Sequence, residues 1–85
     1  MSTEVFYLLN PALTQLVTFK IRSGTNENPD WDYAEITWTG DGGHPDHPAF
    51  EQLDDKRMDT DRYSAQILSQ KLETKGYKRH LLGTL

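Results

Sequence analysis

The stretch DTDRYSAQILSQKLETKG, residues 59–76, decides the fold because it carries a complete set of helix signals. Asp59 is suited to the N-cap position, and Gly76 is suited to the left-handed position that follows a helix. Lys71 and Lys75 place positive charge near the end of the stretch, where it complements the helix dipole. The sequence therefore predicts one long helix that begins at Asp59 and ends at Gly76.

This predicted helix has two different sides. At about 100° per residue, its side chains divide into an apolar sector and a polar sector. The apolar sector contains Ala65, Ile67, Leu68 and Leu72, and the polar sector contains Arg62, Gln66, Ser69, Gln70 and Glu73. We therefore expect Leu68 and Leu72 to pack on a sheet face that bears Val17, Phe19, Ile21, Ile36 and Trp38.

The rest of the chain contains four segments with the pattern of β-strands. Residues 15–22 and 33–39 alternate between apolar and polar side chains, and we expect these two strands to pair antiparallel. Residues 4–9 form a nearly continuous apolar run, and residues 77–85 resemble a last strand. Turn-forming residues separate these segments.

The order of these elements predicts the architecture. Pro48 is suited to the first position of a helix, so residues 49–58 are expected to form a short helix or 3₁₀ segment that leads into the main helix. A chain of 85 residues has the length of one domain. We therefore predict a single α+β domain over residues 1–85, with an antiparallel sheet of three to four strands packed by one long C-terminal helix, in the order β, β, β, short helix, long helix, β.

Composition excludes several classes of protein. The chain has no cysteine, which excludes disulfides, thiolate metal sites and thiol nucleophiles. No apolar run reaches the length of a membrane span, and the N-terminal segment lacks the basic region of a secretion signal. None of the motifs GxSxG, HExxH, GxxxxGK[ST] or GxGxxG occurs. We expect a cytoplasmic protein that is not an enzyme, binds no cofactor and does not enter a membrane.

The net charge of −4 is unevenly distributed. Residues 1–55 carry ten acids and two bases, whereas residues 56–85 carry seven bases and three acids. Two interpretations follow from this asymmetry. Either the two halves attract each other within the monomer, or an acidic face binds a basic partner.

The second interpretation gives the leading functional hypothesis, a small non-enzymatic interaction module. It would act as a regulator, adaptor or inhibitor, and a special case is an inhibitor that imitates the charge of nucleic acid. Acidic loops around residues 27–35 and 41–55 would present charge and aromatic side chains to a basic protein partner. The predicted partner-binding residues are Asp30, Trp31, Asp32, Tyr33 and Glu35. Trp31 is the expected anchor, because a large aromatic side chain in a polar loop is typical of binding hot spots.

A divalent metal site is the first alternative. The segment DGGHPDHP, residues 41–48, places imidazole and carboxylate ligands close together, from Asp41, His44, Asp46 and His47. His44 and His47 are the expected metal ligands, and His80 is a further candidate from the last strand. The other interpretation of this segment is an ordinary surface loop rich in glycine and proline.

A nucleic-acid-associated domain is the second alternative. The C-terminal segment carries the bases Lys71, Lys75, Lys78, Arg79 and His80, which could meet phosphates, and Tyr77 lies between them and could stack on a nucleobase. The helix dipole also explains bases near a helix end.

The order of elements over residues 16–77 resembles that of the WGR family of nucleic-acid-associated domains. The resemblance lies in a strand that ends in Trp38-Thr39-Gly40, a helix, and then Gly76-Tyr77. Thr39-Gly40 stands where that family has Gly-Arg, and the basic character of the family is missing. The function of the family is therefore not transferred to this chain.

Overall fold

The structure is a computed structural model that describes residues 3–24, 32–40 and 43–84, with the backbone alone for residues 81–84. Its elements are β1 (Thr3–Leu9), β2 (Gln15–Arg22), β3 (Tyr33–Gly40), a 3₁₀ helix (Pro48–Phe50), β4 (Arg57–Asp61), α1 (Arg62–Thr74) and β5 (Lys78–Thr84). Within these ranges, no helix combines the length and the apolar character that crossing a membrane requires.

All strands join one antiparallel sheet in the order β4-β3-β2-β1-β5. The predicted α+β class, the antiparallel sheet and the packing of one long helix are confirmed. The predicted pairing of β2 with β3 is also confirmed, with Phe19 opposite Ile36. The sheet has five strands in the described part of the chain, which is one more than the upper end of the predicted number.

The additional strand is β4, and it changes the start of the helix. Asp61, not Asp59, is the N-cap residue, and its Oδ1 accepts a hydrogen bond of 2.6 Å from the backbone N–H of Ser64. Residues 57–61 form β4, which pairs antiparallel with β3. The predicted helix start was wrong because Asp and Thr rank low as helix formers, and pairing with β3 satisfies the backbone groups of this segment instead.

The end of the helix agrees with the prediction. The backbone N–H of Tyr77 donates to the carbonyl of Leu72, and the N–H of Gly76 donates to the carbonyl of Glu73. This pair of bonds is the Schellman motif, which requires a left-handed residue, and Gly76 has φ +99°. A side chain at Gly76 would also approach Pro11 to within 2.9 Å. Glycine is therefore required here by conformation and by space.

The core lies between α1 and one face of the sheet. Leu68 and Leu72 belong to the same buried cluster as the strand residues that the sequence predicted. Phe50 of the 3₁₀ helix joins them, with its ring edge-on to Trp38 at a centroid distance of 5.2 Å. The other buried members are Phe6, Leu8, Val17, Phe19, Ile21, Ala34, Ile36, Ala65 and Tyr77.

Ser69 is an exception to the predicted polar sector of the helix, because it is buried at 1% exposure. Its hydroxyl donates a hydrogen bond of 2.8 Å to the carbonyl of Gln66 and accepts one of 3.0 Å from Nη2 of Arg79. The prediction was wrong because Arg79 on β5 brings a donor to this position. A short polar side chain can be buried where its hydrogen bonds are satisfied.

Candidate functional site

The predicted partner-binding residues lie at and before the start of β3. Asp30 and Trp31 fall outside the described residues. Asp32 directly precedes β3, and Tyr33 and Glu35 alternate with buried residues of that strand. The side chains of Tyr33 and Glu35 therefore belong to the sheet face opposite α1, which we call the open face.

Arg57 of β4 binds the acids on this part of the open face. Its guanidinium lies 3.3 Å from Oε2 of Glu35 and 3.0 Å from Oδ1 of Asp59, and its Nη2 donates a hydrogen bond of 3.3 Å to the Tyr33 hydroxyl. The hydrogen bond with Tyr33, and then the one from Arg57, lower the pKa of Asp59. The same contact with Asp59, together with burial, raises the pKa of Tyr33. Glu35 and Tyr33 are thus already engaged within the chain.

Arg62, the first residue of α1, binds Asp32 in a similar way. Its Nε donates a hydrogen bond of 2.6 Å to Oδ2 of Asp32, and its Nη2 donates one of 2.9 Å to Oγ of Ser23. Its Nη1 lies 3.7 Å from Oε2 of Glu4. These contacts join the acidic first part of the chain to the basic last part. Attraction within the monomer, one of the two interpretations of the charge asymmetry, is therefore present in the structure.

Exposed acids without such partners lie in a different place, residues 43–56, which we call the acidic loop. Asp46, Glu51, Asp54 and Asp55 are all exposed there. None of the four forms an ion pair with a residue in the described ranges. Of the two predicted acidic segments, the second therefore presents the unpaired carboxylates, whereas Asp32 and Glu35 of the first are paired.

A buried polar pair holds the beginning of the acidic loop. Gln15 is 2% exposed and Tyr77 is 7% exposed, and the Tyr77 hydroxyl donates a hydrogen bond of 2.9 Å to Oε1 of Gln15. Nε2 of Gln15 donates one of 2.6 Å to the carbonyl of Gly43. The Tyr77 hydroxyl also accepts one of 3.1 Å from the backbone N–H of Asp46. The beginning of the loop, at Gly43 and Asp46, is thereby fixed to β2 and to the segment that follows α1.

The two histidines of the predicted metal site make local contacts in the same loop. Nδ1 of His47 accepts a hydrogen bond of 3.1 Å from the backbone N–H of Ala49 and so caps the 3₁₀ helix. Nε2 of His44 donates one of 3.2 Å to the carbonyl of Leu53. Asp41 lies outside the described residues. Within the described ranges, no group of three or more His, Asp or Glu side chains could hold a metal ion.

An open cleft of about 580 Å³ separates the acidic loop from the end of α1. The loop contributes both histidines, Asp46 and Glu51 to its lining, and Lys75 lies on the other side. The cleft therefore offers carboxylates, imidazoles and one ammonium group, and this mixture is suited to binding charged side chains.

The basic residues that follow α1 do not form one surface. Arg79 lies on the side of α1, with its Nη2 2.6 Å from Oε1 of Glu73 and its guanidinium 4.2 Å from the centroid of the Phe6 ring. Lys78 and His80 alternate with Arg79 and therefore belong to the open face. The bases named for phosphate contacts are thus divided between two sides of the sheet.

The open face carries an apolar depression that was not predicted from the sequence. Its volume is about 510 Å³, and Tyr7, Leu9, Leu16 and His80 line it. Leu9 lies opposite Leu16 in the β1–β2 pair, and Tyr7 lies opposite His80 in the β1–β5 pair. The signal in the sequence was the nearly continuous apolar run of β1, because such a run places apolar side chains on both faces of a strand.

Two surfaces of the described chain are therefore candidates for function, the acidic loop and the open face. The first combines free charge with a fixed backbone, and the second combines an apolar depression with charged surroundings. Comparison of the chain with models of known protein families, with characterised proteins and with solved structures found no match. The function has to be inferred from these two surfaces.

Proposed function

We propose that the protein is a small, non-enzymatic interaction module that binds a basic protein partner through the acidic loop. One observation supports this proposal, the exposure of four unpaired carboxylates on a loop whose beginning, at Gly43 and Asp46, is held in place by the buried Gln15–Tyr77 pair. Exposed charge speeds the encounter with an oppositely charged partner. A loop that is fixed before binding loses less conformational entropy when the complex forms.

The residues around the start of β3 keep a smaller part in this proposal. Asp32 and Glu35 are bound by Arg62 and Arg57, so we assign electrostatic steering to the acidic loop. Trp31 stays the proposed aromatic anchor, and Trp31→Ala is expected to speed dissociation of the partner. A regulator, an adaptor or an inhibitor would all use such a surface. We also propose that the protein acts in the cytoplasm.

The test begins with capture of the partner from native cell extract on the tagged protein, followed by measurement of association and dissociation rates. Asp54→Asn combined with Asp55→Asn should slow association. Gln66→Lys combined with Gln70→Lys is the matched control, because it changes the net charge by the same amount at exposed positions of α1. If both double variants slow association equally, the net charge of the protein sets the association rate, and the acidic loop has no special role in it.

Ionic strength provides a second measurement on the same complex. Raising it from about 0.05 to about 0.5 M shortens the Debye length from about 14 to about 4 Å. We expect association to slow strongly and dissociation to change little, because steering acts before contact. Association rates that ignore salt would contradict the role proposed for the acidic loop.

The rival function is divalent-metal binding by His44 and His47, which line one cleft with Asp46 but do not form a three-ligand group with it among the described residues. Calorimetric titration with zinc, nickel and manganese separates the two functions. An interaction module without a metal should give no heat of binding with any of the three ions. Heat and added thermal stability that are lost in His44→Ala would support the metal site and contradict the purely interactive function.

A further inference from the structure

We propose that the open face binds single-stranded nucleic acid at the apolar depression. The depression places two aromatic rings side by side, because Tyr7 of β1 is the cross-strand partner of His80 of β5. Leu9 and Leu16 extend it as a second cross-strand pair, and all four side chains are half-buried or exposed. Aromatic side chains on an open sheet face are suited to stacking on unpaired bases, whichever base is present.

Two lysines lie on opposite sides of Tyr7. Lys78 is opposite Leu9, two residues along β1 from Tyr7, and Lys20 is opposite Val5, two residues along β1 in the other direction. With strands about 4.8 Å apart and a rise of about 3.4 Å per residue, the Cα atom of each lysine is about 8 Å from that of Tyr7, on one diagonal of the sheet. A single strand carries a phosphate on each side of every internal base, so this arrangement matches its pattern of charge.

The two lysines are available for phosphates, because neither forms an ion pair within the described ranges. Arg22 adds a third base to this part of the face, and the described open-face residues of β2, β1 and β5 include no acid. Lys20 is opposite Glu35 of β3, but Arg57 already binds the carboxylate of Glu35 at 3.3 Å. The depression therefore lies in basic surroundings.

The net charge of −4 does not describe this surface. The acidic loop packs on the opposite face of the sheet, where Phe50 meets Trp38 in the core. Salt screens repulsion from that side beyond about 10 Å at 0.1 M. Positive charge on both sides of the aromatic rings favours a ligand with repeated phosphates over a fatty acid, which carries its charge at one end. We therefore expect weak binding that does not depend on sequence, with dissociation constants of about 1–100 µM.

Fluorescence anisotropy tests the proposal with a labelled single strand of about 12 thymidines, which is long enough to cover the face. Tyr7→Ala and His80→Ala should each weaken binding about tenfold or more, since each removes a ring that stacks on a base. Tyr7→Phe keeps the ring and should bind like the unchanged protein. Tyr63→Ala is the control, because Tyr63 is 73% exposed on α1, and it should leave binding unchanged. Circular dichroism checks that all variants are folded.

The salt dependence of binding tests the lysines. Each phosphate contact with a single strand contributes about −0.7 to the slope of the logarithm of the binding constant against that of the salt concentration. Lys20→Ala and Lys78→Ala should each make the slope shallower by this amount. Lys71→Ala is the matched control, because Lys71 is exposed on α1, and it should leave the slope unchanged.

Two competitors and one variant complete the experiment. A duplex of the same length should displace the labelled strand poorly, because its bases are already stacked, and so should an acidic peptide of equal charge with one phenylalanine between glutamates. Asp54→Asn combined with Asp55→Asn should not weaken binding of the strand, which separates this site from the proposed partner site. The proposal is overturned if about 1 mM protein does not bind the strand at low salt, if His80→Ala binds like the unchanged protein, if neither lysine variant changes the slope, or if the acidic peptide displaces the strand at equal concentration.

Discussion

Leu13 occupies a backbone conformation that leucine rarely adopts. It lies in the turn between β1 and β2 with φ +59°, and 71% of its surface is exposed. Asn10 imposes this turn, because its Oδ1 accepts hydrogen bonds of 2.8 and 2.9 Å from the backbone N–H groups of Thr14 and Gln15. The left-handed conformation costs a residue with a Cβ atom about 1 kcal/mol or more. Leu13 is therefore a strained position with no compensating burial.

Replacement of Leu13 should make the fold more stable. We expect Leu13→Gly to raise the free energy of unfolding by about 0.5–1 kcal/mol, since relief of strain exceeds the added entropy of the unfolded chain. Urea denaturation measures the change. Leu13→Ala is the matched control, because alanine keeps the strain and should change stability little. A glycine variant no more stable than the alanine variant would show that the turn is unstrained.

Asp59 gives a prediction about pH at the same scale. Its pKa is lowered by the hydrogen bond with Tyr33 and by Arg57. A carboxyl group whose pKa is lower in the folded protein stabilises the fold above its ordinary pKa of 3.8. That contribution is lost as the pH falls from this value toward the folded-state pKa.

The test follows the carboxyl resonance of Asp59 by NMR during acid titration. We expect Tyr33→Phe to raise the pKa of Asp59, because it removes the larger cause of the shift. Arg57→Gln should also raise it, because it removes the positive charge that lowers the pKa of Asp59. If the resonance titrates in Tyr33→Phe as it does in the unchanged protein, the hydrogen bond between these two side chains does not exist in solution.

At the scale of elements, α1 is held by its apolar side. Leu72 is fully buried in the core, whereas Gln70 is exposed on the same helix. We expect Leu72→Ala to lower the free energy of unfolding by about 2–4 kcal/mol, because it removes buried methyl groups and leaves a cavity. Gln70→Ala should change it by less than about 0.5 kcal/mol. Equal losses in denaturation experiments would mean that the helix packs through a different side.

Sequence patterns predicted the elements whose signals are local. The bounds of β2 follow from alternation, and the end of α1 follows from the need for glycine at position 76. The start of α1 could not be predicted in this way, because Asp59 and Asp61 both suit an N-cap. The pairing of β4 with β3 decides between them, and this pairing joins segments that are far apart in the chain.

The candidate surfaces could be predicted less well than the strands and the helix, because contacts between distant segments bring their residues together. The glycines and prolines of residues 41–48 favoured a surface loop, and residues 43–47 lie in one. The short helix predicted over residues 49–58 is limited to the 3₁₀ helix Pro48–Phe50. The ion pairs of Arg57 and Arg62, which engage Glu35 and Asp32, depend on strand register and therefore leave no local signal. The apolar depression likewise needs three strands side by side before its lining residues meet.

At the scale of the whole molecule, the Tyr77 hydroxyl joins the acidic loop to two distant elements. Tyr77→Phe removes this group and leaves Oε1 of Gln15 and the N–H of Asp46 without a partner. We expect a loss of about 1–3 kcal/mol in the free energy of unfolding, since both groups lose a hydrogen bond. The amide of Asp46 should exchange faster with solvent, and the captured partner should dissociate faster.

The control is Tyr63→Phe, which makes the same chemical change at an exposed site on α1. It should alter neither stability, amide exchange nor binding. If Tyr77→Phe loosens the loop but leaves the partner complex unchanged, the fixed conformation of the loop does not contribute to binding.

The pairing of β1 with β5 has a consequence for protein engineering. Glu4 and Thr84 are cross-strand partners, so the backbone enters and leaves the described unit at one corner, with Cα atoms about 5 Å apart. Such a unit can be inserted as a guest into a surface loop of a host protein through two short linkers. For the same reason, a short linker could join the two ends of the described unit. Opening the chain at an exposed turn would then give a circular permutant. The described unit is therefore suited to insertion into other proteins.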